Sequence, residues 1–459
     1  MTQIQRIIIT LTATAFFMEG LDGSIMNTSL PQIALSLHLT PLHLKVALTT
    51  YLLAAGVMIP ISGWLADKFG IKVIFRLAIV IFLLGSILSG LSNNIVIMVL
   101  GRIIQGIGGA LSLPLGRLLL VRHFSKAEFI VALSTISSFG LIGPSIGPLI
   151  GGFLTTFLNW RFIFFVNIPI GFFALYYVQK HIENTKNPKV KSFDFLGFTI
   201  LATSLILLLL AFETLTEHTL TGIEIITLGL LGCIGLTAYW FYAKNHERAV
   251  ISPKLLNTPN FKSIVINSMT IRLALGIIPF LGPLLLQLGL NMSAMMSGLY
   301  SGASGIAMIF AKSWVQKLLR RFNAGLIAGT TSILLCLSLN LNILICYFPS
   351  PMVILGVFII TGILMSIQYT TVNALAYSTL PHEFQNMGTS FLSSMQQIMQ
   401  SFGIAVGAFI LYLAIDGKIE ATHYPLHAFV ITYALLSLIP LLSAVGFFKI
   451  RHLKIDRGS

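Results

Sequence analysis

Apolar residues in this chain are collected into long runs of about 20 residues, which alternate with short polar segments. A run of about 20 apolar residues matches the hydrocarbon thickness of a bilayer, so each run predicts one transmembrane helix. The pattern therefore predicts an all-α, polytopic membrane protein with fourteen spans. Their predicted bounds are 7–34, 42–66, 73–92, 96–120, 129–157, 162–179, 195–213, 222–243, 263–288, 294–315, 325–346, 352–378, 387–415 and 426–449.

The composition agrees with this pattern and excludes a soluble globular protein. Of the 459 residues, 56% are hydrophobic and only 9% are charged, and the mean hydropathy is +0.91. Soluble domains carry roughly 25% charged residues. The solvent of this chain is therefore the lipid bilayer. Cys233, Cys336 and Cys346 are scattered, so they predict neither a disulfide framework nor a metal site.

The formal net charge of +14 reflects orientation and does not predict a nucleic-acid partner. If successive helices alternate in direction, almost all basic residues between them fall on one side, and this side is cytoplasmic by the positive-inside rule. Both termini are then cytoplasmic, which requires an even number of spans and fits fourteen. The residues on this side are Arg6, Lys68, Lys72, Arg76, Arg117, Arg122, Lys126, Lys180, Lys186, Lys189, Lys191, Lys244, Arg248, Lys254, Lys262, Lys312, Lys317, Arg320, Arg321, Lys449, Arg451, Lys454 and Arg457. The opposite loops hold Lys45, Arg161 and Lys418.

The fifth predicted span contains the sequence GLIGPSIGPLIGG from Gly140 to Gly152. At about 100° per residue, four of its glycines fall within about 80° of one helix face, with both prolines beside them. Small residues let two membrane helices approach closely, and each proline removes a backbone donor. The stretch predicts a helix that packs tightly and bends. A close-packed helix of this kind is also found in other classes of polytopic membrane protein, so the stretch alone does not identify the class. The residues concerned are Gly140, Gly143, Pro144, Gly147, Pro148, Gly151 and Gly152.

Two carboxylates, Glu19 and Asp22, interrupt the first span. At spacing i, i+3 they share one helix face, and a charge at this depth costs several kcal/mol unless it faces protein or water. We expect both side chains to face a polar cavity. The alternative is a structural pair that neighbouring helices satisfy.

Two arginines also lie within predicted spans. Arg102 and Gln105 are one turn apart in the fourth span, and Arg102 close to Asp22 or Glu19 would form a proton-responsive site or a structural ion pair. Arg272 lies about ten residues into its helix, near the membrane midplane. It could pair with either carboxylate, hold an anionic substrate or serve structure alone. Further neutral groups for the same cavity are Gln368, Asn373, Ser394, Gln396, Gln397 and Gln400.

The segment GWLADKFGIK follows the second span and predicts a tight glycine turn that presents one carboxylate and several cations. An ordinary positive-inside loop is the alternative. The residues of this turn are Gly63, Asp67, Lys68, Gly70 and Lys72.

These motifs resemble, in order, those of the major facilitator superfamily. The glycine-proline helix resembles the antiporter motif, and LDGSIMNTSLP, with Asp22 and Asn27 at motif positions, resembles the first-helix signature of fourteen-helix drug:proton antiporters. GWLADKFGIK resembles the superfamily's signature loop, and Arg102, Gln105 and Gly106 resemble its R-x-x-Q-G motif. NWRFIFFVNIPIG, residues 159–171, is similar to a segment of the same branch. The resemblance is to the EmrB/QacA-like branch, and within it to MdtD-type exporters; Glu19 lies outside these motifs.

The resemblance implies two six-helix bundles, residues 1–180 and 263–459, with two inserted transmembrane helices in residues 181–262. In that family the loop carboxylate, here Asp67, is a conformational latch that meets a fourth-helix arginine, here Arg117 or Arg122, and a helix that would begin near Asn386. The inserted helices would be scaffolding.

The same resemblance implies a proton-driven exporter of amphipathic or drug-like compounds in a bacterial inner membrane. A proton-coupled importer or facilitator of a small metabolite or siderophore is the alternative. No phosphate-binding G-x-x-x-x-G-K-[ST] loop is present, so an ion gradient is the expected energy source and no cofactor or metal is expected. The expected partners are lipid, protons, a small-molecule substrate and a periplasmic adaptor. An enzyme or metal-binding receptor is disfavoured because the ten histidines are scattered.

Overall fold

The computed structural model describes residues 2–187, 190, 192–216, 220–246, 249–380, 385–417 and 423–453. Within these residues the regular structure is helical and no strand is present. Fourteen helices are long and apolar enough to cross a membrane, which confirms the predicted number of spans. Several basic residues of the predicted cytoplasmic and opposite loops lie outside the described residues: Lys189, Lys191, Arg248, Lys418, Lys454 and Arg457.

The spanning helices agree with the predicted spans to within a few residues at most ends. We number them α1 to α14 in chain order. Their bounds are Gln3–Thr28, Pro41–Phe69, Ile71–Gly90, Ile95–His123, Val131–Phe157, Phe162–His181, Phe195–Thr214, Gly222–Asn245, Asn260–Gly289, Ala294–Arg321, Ala324–Tyr347, Pro351–Ser378, Met387–Ala414 and Leu426–Lys449.

The first span is shorter than predicted. The sequence predicts one helix over 7–34, but α1 ends in a turn of 3₁₀ helix at Thr28 and a separate short helix covers Leu30–Ser36. Pro31 lies in the first turn of that short helix, where its missing N–H is tolerated. A proline there cannot continue the hydrogen-bond ladder of α1, so the apolar run is divided between two helices.

Helices α1–α6 pack on one another, and so do α9–α14. The two halves meet along two seams, where α5 packs against α10 and α2 packs against α13. Two serines of α13 fasten the second seam: Ser401 donates to the carbonyl of Thr49 at 2.8 Å, and Ser394 donates to the carbonyl of Gly56. The domain limits at residues 180 and 262 stay a prediction.

The two membrane faces differ in how the halves are joined. We call the face where α1 begins and α14 ends the basic face. At the opposite face a single apolar cluster contains residues of both halves, such as Leu37, Trp160, Leu288 and Tyr424. Near the basic face, the first half has a cluster of its own around Phe75. The halves are therefore packed together at the opposite face.

The helices between the halves, α7 and α8, pack on each other, and α7 also contacts α2 and α13. A buried ion pair fastens α7 to α2, because Nζ of Lys45 lies 2.7 Å from Oε2 of Glu213 and the two side chains are 0% and 3% exposed. The hydroxyl of Thr49 donates to Glu213 at 2.7 Å, and Lys45 donates to the Thr216 hydroxyl at 2.8 Å. The sequence predicts Lys45 in a loop of the opposite face, but Lys45 lies in α2. Glu213 compensates its charge inside the protein.

Candidate functional site

A cavity of about 190 Å³ lies between the two halves. The first half supplies Glu19 from α1 together with apolar side chains, and the second half supplies Arg272 from α9 and a polar stretch of α13. Its lining combines one acid, one arginine and neutral polar side chains with apolar side chains of the first half. The lining residues are Glu19, Ile59, Ala110, Leu113, Arg272, Ser393, Gln396, Gln397 and Gln400.

Asp22 does not line this cavity, although the sequence predicts that it shares a polar cavity with Glu19. Its side chain is fully buried. Nη1 of Arg102 lies 2.6 Å from Oδ2, and the side-chain amides of Gln105 and Asn167 donate to Oδ1 at 2.9 and 2.8 Å. These three donors come from α4 and α6 and close over the carboxylate. The expectation of a cavity-facing Asp22 is therefore wrong in this conformation, because neighbouring helices satisfy both of its oxygens.

Arg102 is held in place from several sides. It is buried, its Nε donates to the carbonyl of Ala47 at 3.3 Å, and Nη1 also donates to Gln105 at 2.9 Å. The guanidinium lies 4.0 Å from the ring centre of Tyr51, within the range of a cation–π contact. Its buried Nη2 atom has no hydrogen-bond partner among the described residues. A second cavity of about 10 Å³, room for one water, lies between Arg102 and Asn27.

Glu19 is in a different environment, one turn before Asp22. Its Oε2 atom is buried, yet no described residue hydrogen-bonds to it or forms an ion pair with this carboxylate. Arg117, on α4, is close enough to Glu19 for the two side chains to interact electrostatically. Its Nε atom is likewise buried and has no hydrogen-bond partner among the described residues. Glu19 is therefore the acid that a cavity ligand can reach.

Arg272 faces the same cavity from the second half. Its guanidinium stacks on Tyr369 at 3.7 Å from the ring centre, and Nη2 donates to Gln396 at 3.3 Å. It forms no ion pair with Glu19 or Asp22 in the part of the chain that the structure describes. The sequence leaves three roles open for Arg272: pairing with Glu19 or Asp22, binding an anionic substrate, or a structural role. The first of these is not seen among the described residues in this conformation. The Arg272 side chain lines the cavity.

Of the polar residues predicted to serve the cavity, the structure brings Gln396, Gln397 and Gln400 to its wall. Asn373 supports this set, since it accepts a hydrogen bond from Gln396 at 2.8 Å. Gln368 and Ser394 do not line it: Gln368 is buried and donates to Ser332 at 3.0 Å, whereas Ser394 bonds across the α2/α13 seam.

The predicted latch turn brings Asp67 together with Arg122 and not with Arg117. Nη2 of Arg122 lies 3.2 Å from Oδ1 of Asp67, and both side chains are partly exposed, at 26% and 38%. Gly70 has a φ of +98°, which a residue with a Cβ rarely adopts, so the turn needs this glycine. The ion pair lies within the first half. The receiving helix is predicted to begin near Asn386, whose side chain is not among the side chains that the structure describes.

The other predicted members of the turn have smaller roles in this structure. Lys72 donates to the carbonyl of Gln179 at 2.8 Å, and Lys68 lies 4.6 Å from the ring centre of Trp64. A Cβ added to Gly63 would meet no atom within 4 Å, so packing does not require glycine there.

The glycine-proline helix, α5, is packed on both sides. On one side, Cβ atoms added at Gly143, Gly147 and Gly151 would overlap the backbone or the Ser24 hydroxyl of α1, and one at Gly140 would press on Phe16. Pro144 faces Gly20 of α1, and the carbonyl of Pro148 accepts a hydrogen bond from Thr28 at 3.1 Å. This is the close approach that the sequence predicts.

On its other side, α5 forms the seam with α10. Gly152 lies against the carbonyl of Ala294, and the backbone of α5 in turn lies against Gly298 and Gly305. Ser145 donates to the carbonyl of Gly305 at 2.8 Å. One helix thus joins α1, which carries both acids, to the second half.

Three residues contribute to this site although the sequence motifs do not predict a role for them. Asn167 lies within the motif segment 159–171, and Tyr51 and Tyr369 lie in no motif. In the structure Asn167 contacts Asp22, Tyr51 contacts Arg102, and Tyr369 contacts Arg272. Asn167 carries a signal, because an amide inside an apolar span needs a partner. A tyrosine in a membrane helix gives no comparable signal.

Comparisons with known proteins agree with this architecture. Two proteins named "Putative multidrug resistance protein MdtD", from Pectobacterium atrosepticum and Salmonella typhimurium, are each 32% identical over 441 and 454 residues, covering 96% of this chain and 94% of each relative. The structures of a D-xylose-proton symporter and of a peptide transporter POT in complex with sulfate superpose with TM-scores of 0.71 each. Their identities are 12% and 16%, with coverage of 99% of both chains for the first, and of 98% of this chain and 96% of the other for the second.

The family model described as Major Facilitator Superfamily matches residues 12–404. This range contains Glu19 and Asp22 of α1 and the residues that line the cavity between the halves. Together with the fourteen spans and the two packed halves, this match shows that the chain belongs to the major facilitator superfamily, as its motifs predict.

Proposed function

We propose that this transporter is a proton-driven exporter, a substrate:proton antiporter for small organic compounds, in a bacterial inner membrane with its basic face in the cytoplasm. The observation that carries the proposal is the contrast between two acids on one helix. Asp22 is enclosed with Arg102, whereas Glu19, one turn away, lines a cavity between the halves, and no described residue hydrogen-bonds to its Oε2 atom. Two acids in such different environments can take different roles in one cycle.

The proposed cycle starts from the conformation described above, in which an apolar cluster joins the halves at the opposite face. Substrate enters from the basic face and contacts Glu19. The halves then rock about the α5/α10 and α2/α13 seams, and substrate leaves on the opposite side. There a proton binds to Asp22, which weakens its ion pair with Arg102. Return to the first conformation releases this proton, so that substrate and proton move in opposite directions.

Coupling requires that substrate and proton favour different states or compete for the same one. Asp22→Asn keeps the size and hydrogen bonding of the side chain but cannot take up a proton. We expect uphill efflux to be lost and downhill exchange to survive. Glu19→Gln should instead weaken the response to substrate while protons still move whenever substrate does.

The test uses inverted membrane vesicles with an imposed pH gradient and a panel of ethidium, tetraphenylphosphonium, citrate and amino acids. Substrate movement and proton release are measured together for wild type, Asp22→Asn and Glu19→Gln. Glu183→Gln serves as the matched control, because it removes an exposed carboxylate far along the chain from the cavity. Uphill efflux by Asp22→Asn at the normal proton stoichiometry would contradict the assignment and make Glu19 the coupling acid. Substrate and protons moving in the same direction would identify an importer.

A further inference from the structure

We infer that the cavity binds a small dipolar ion, a compound with an amine at one end and a carboxylate or phosphonate at the other. The amine meets Glu19 of the first half, and the acidic group meets Arg272 of the second. The inference rests on the proposed function, since it names the substrate class of the same site. It differs from the amphipathic, drug-like cargo that the resemblance implies.

The acidic end of the site is Glu19. A buried carboxylate oxygen without a hydrogen bond is costly, and ligand binding can remove that cost. Asp22 cannot serve in its place in this conformation, because three donors occupy its two oxygens. A substrate amine is the group that complements Glu19, because an ammonium brings both a charge and several donors.

The basic end of the site is Arg272. Tyr369 supports one face of the guanidinium and Gln396 takes one of its donors, so the remaining edge is held in a fixed orientation. A planar guanidinium fork binds a carboxylate or phosphonate through two parallel hydrogen bonds. The stacked geometry reduces the entropy lost when this bond forms.

The charges of the lining explain why one ligand should carry both groups. Glu19 and Arg272 are the lining residues that can carry a charge, and the remaining polar members are neutral amides and a serine. Of the other cations nearby, Arg102 is paired with Asp22, and Arg117 does not line the cavity. A ligand with a single charge would leave the other protein charge desolvated and unpaired, whereas a dipolar ion pairs both.

The volume of the cavity favours a small ligand. Drug-sized compounds occupy pockets of about 300–1,000 Å³, and this cavity measures about 190 Å³. Glutamine amides on α13 can hydrogen-bond a small polar molecule along its length. Because its two ends would contact different halves, such a ligand would also draw the halves together, which is the step that export requires.

The experiment uses the full-length protein in proteoliposomes and a matched set of compounds. The dipolar series is glycine, β-alanine, 4-aminobutyrate and 6-aminohexanoate, which samples different charge separations. The monopolar partners of 4-aminobutyrate are butylamine and butyrate. We measure substrate-induced proton release, and in detergent the shift of the thermal unfolding midpoint. At least one dipolar compound should act at a concentration about tenfold or more below that of either monopolar partner.

Two variants test the assignment of each end, because removing one protein charge should switch the preferred ligand. Glu19→Gln should favour butyrate over the dipolar compound, and Arg272→Gln should favour butylamine, each by about tenfold or more relative to wild type. Arg272→Lys keeps the charge without the planar fork, so it should keep the dipolar preference with weaker binding. Arg76→Gln is the matched control, since it removes an exposed cation of α3 and should change nothing.

The outcomes separate this inference from the proposed function. Proton release with tetraphenylphosphonium but not with the dipolar series would overturn the dipolar substrate and leave antiport standing. Downhill exchange of a dipolar compound without proton movement would support the substrate class and contradict proton coupling. If no dipolar compound raises the unfolding midpoint above its monopolar partners, or if the two charge-removing variants keep wild-type preference, the inference is wrong.

Discussion

The ion pair between Lys45 and Glu213 attaches the inserted helices to the first half, and we expect its disruption to detach them. The two charges are 2.7 Å apart and almost fully buried, so neither can be hydrated when its partner is removed. Removing one member of a buried pair costs about 3–5 kcal/mol, whereas replacing both by apolar residues is close to neutral or stabilising. Lys45→Met and Glu213→Leu should each destabilise the contact of α7 with α2 by this amount. The double variant Lys45→Met/Glu213→Leu should recover most of it.

The expected loss is local, because α7 also contacts the second half through Phe212, whose ring centre lies 5.7 Å from that of Phe402. Amide hydrogen exchange over residues 195–214 should therefore rise in each single variant while exchange in α4 stays unchanged. The thermal unfolding midpoint in detergent gives the free-energy comparison, and the double-mutant cycle isolates the coupling between the two side chains. Single variants as stable as wild type, or a double variant as unstable as the singles, would refute the view that this pair holds the inserted helices.

Two further predictions concern the glycine-proline helix and the latch turn. Gly147→Leu should block transport, because the new side chain would overlap the Ser24 hydroxyl of α1 and overpacking costs about 1–3 kcal/mol. The control in the same efflux assay is Gly356→Leu, because a Cβ added at Gly356 meets no atom within 4 Å. Full activity of the Gly147→Leu protein would contradict the close packing. Asp67→Asn should slow efflux but change stability by less than about 1 kcal/mol, since its ion pair with Arg122 is partly exposed. Substrate binding in detergent should stay near wild type, and an equal loss of binding and transport would argue against a latch.

The sequence by itself determined the elements of this protein. A span of about 20 apolar residues is a local property, so all fourteen helices follow from the hydrophobic pattern. The glycine face of α5 is equally local, because helical geometry alone fixes which residues share it. The sequence predicts that Arg102 lies close to one of the two first-helix acids, but it does not decide between Asp22 and Glu19.

Only the tertiary structure decided how the two acids differ. Glu19 and Asp22 are three residues apart and share a face by helical periodicity, which predicts the same surroundings for both. Their surroundings come instead from residues 80 and 145 positions away along the chain, Arg102 and Asn167, which enclose Asp22 and leave Glu19 open. Lys45 likewise reads as a loop cation until Glu213 is placed beside it. Charge compensation inside a membrane depends on contacts between distant helices, and these contacts are set by packing rather than by local sequence.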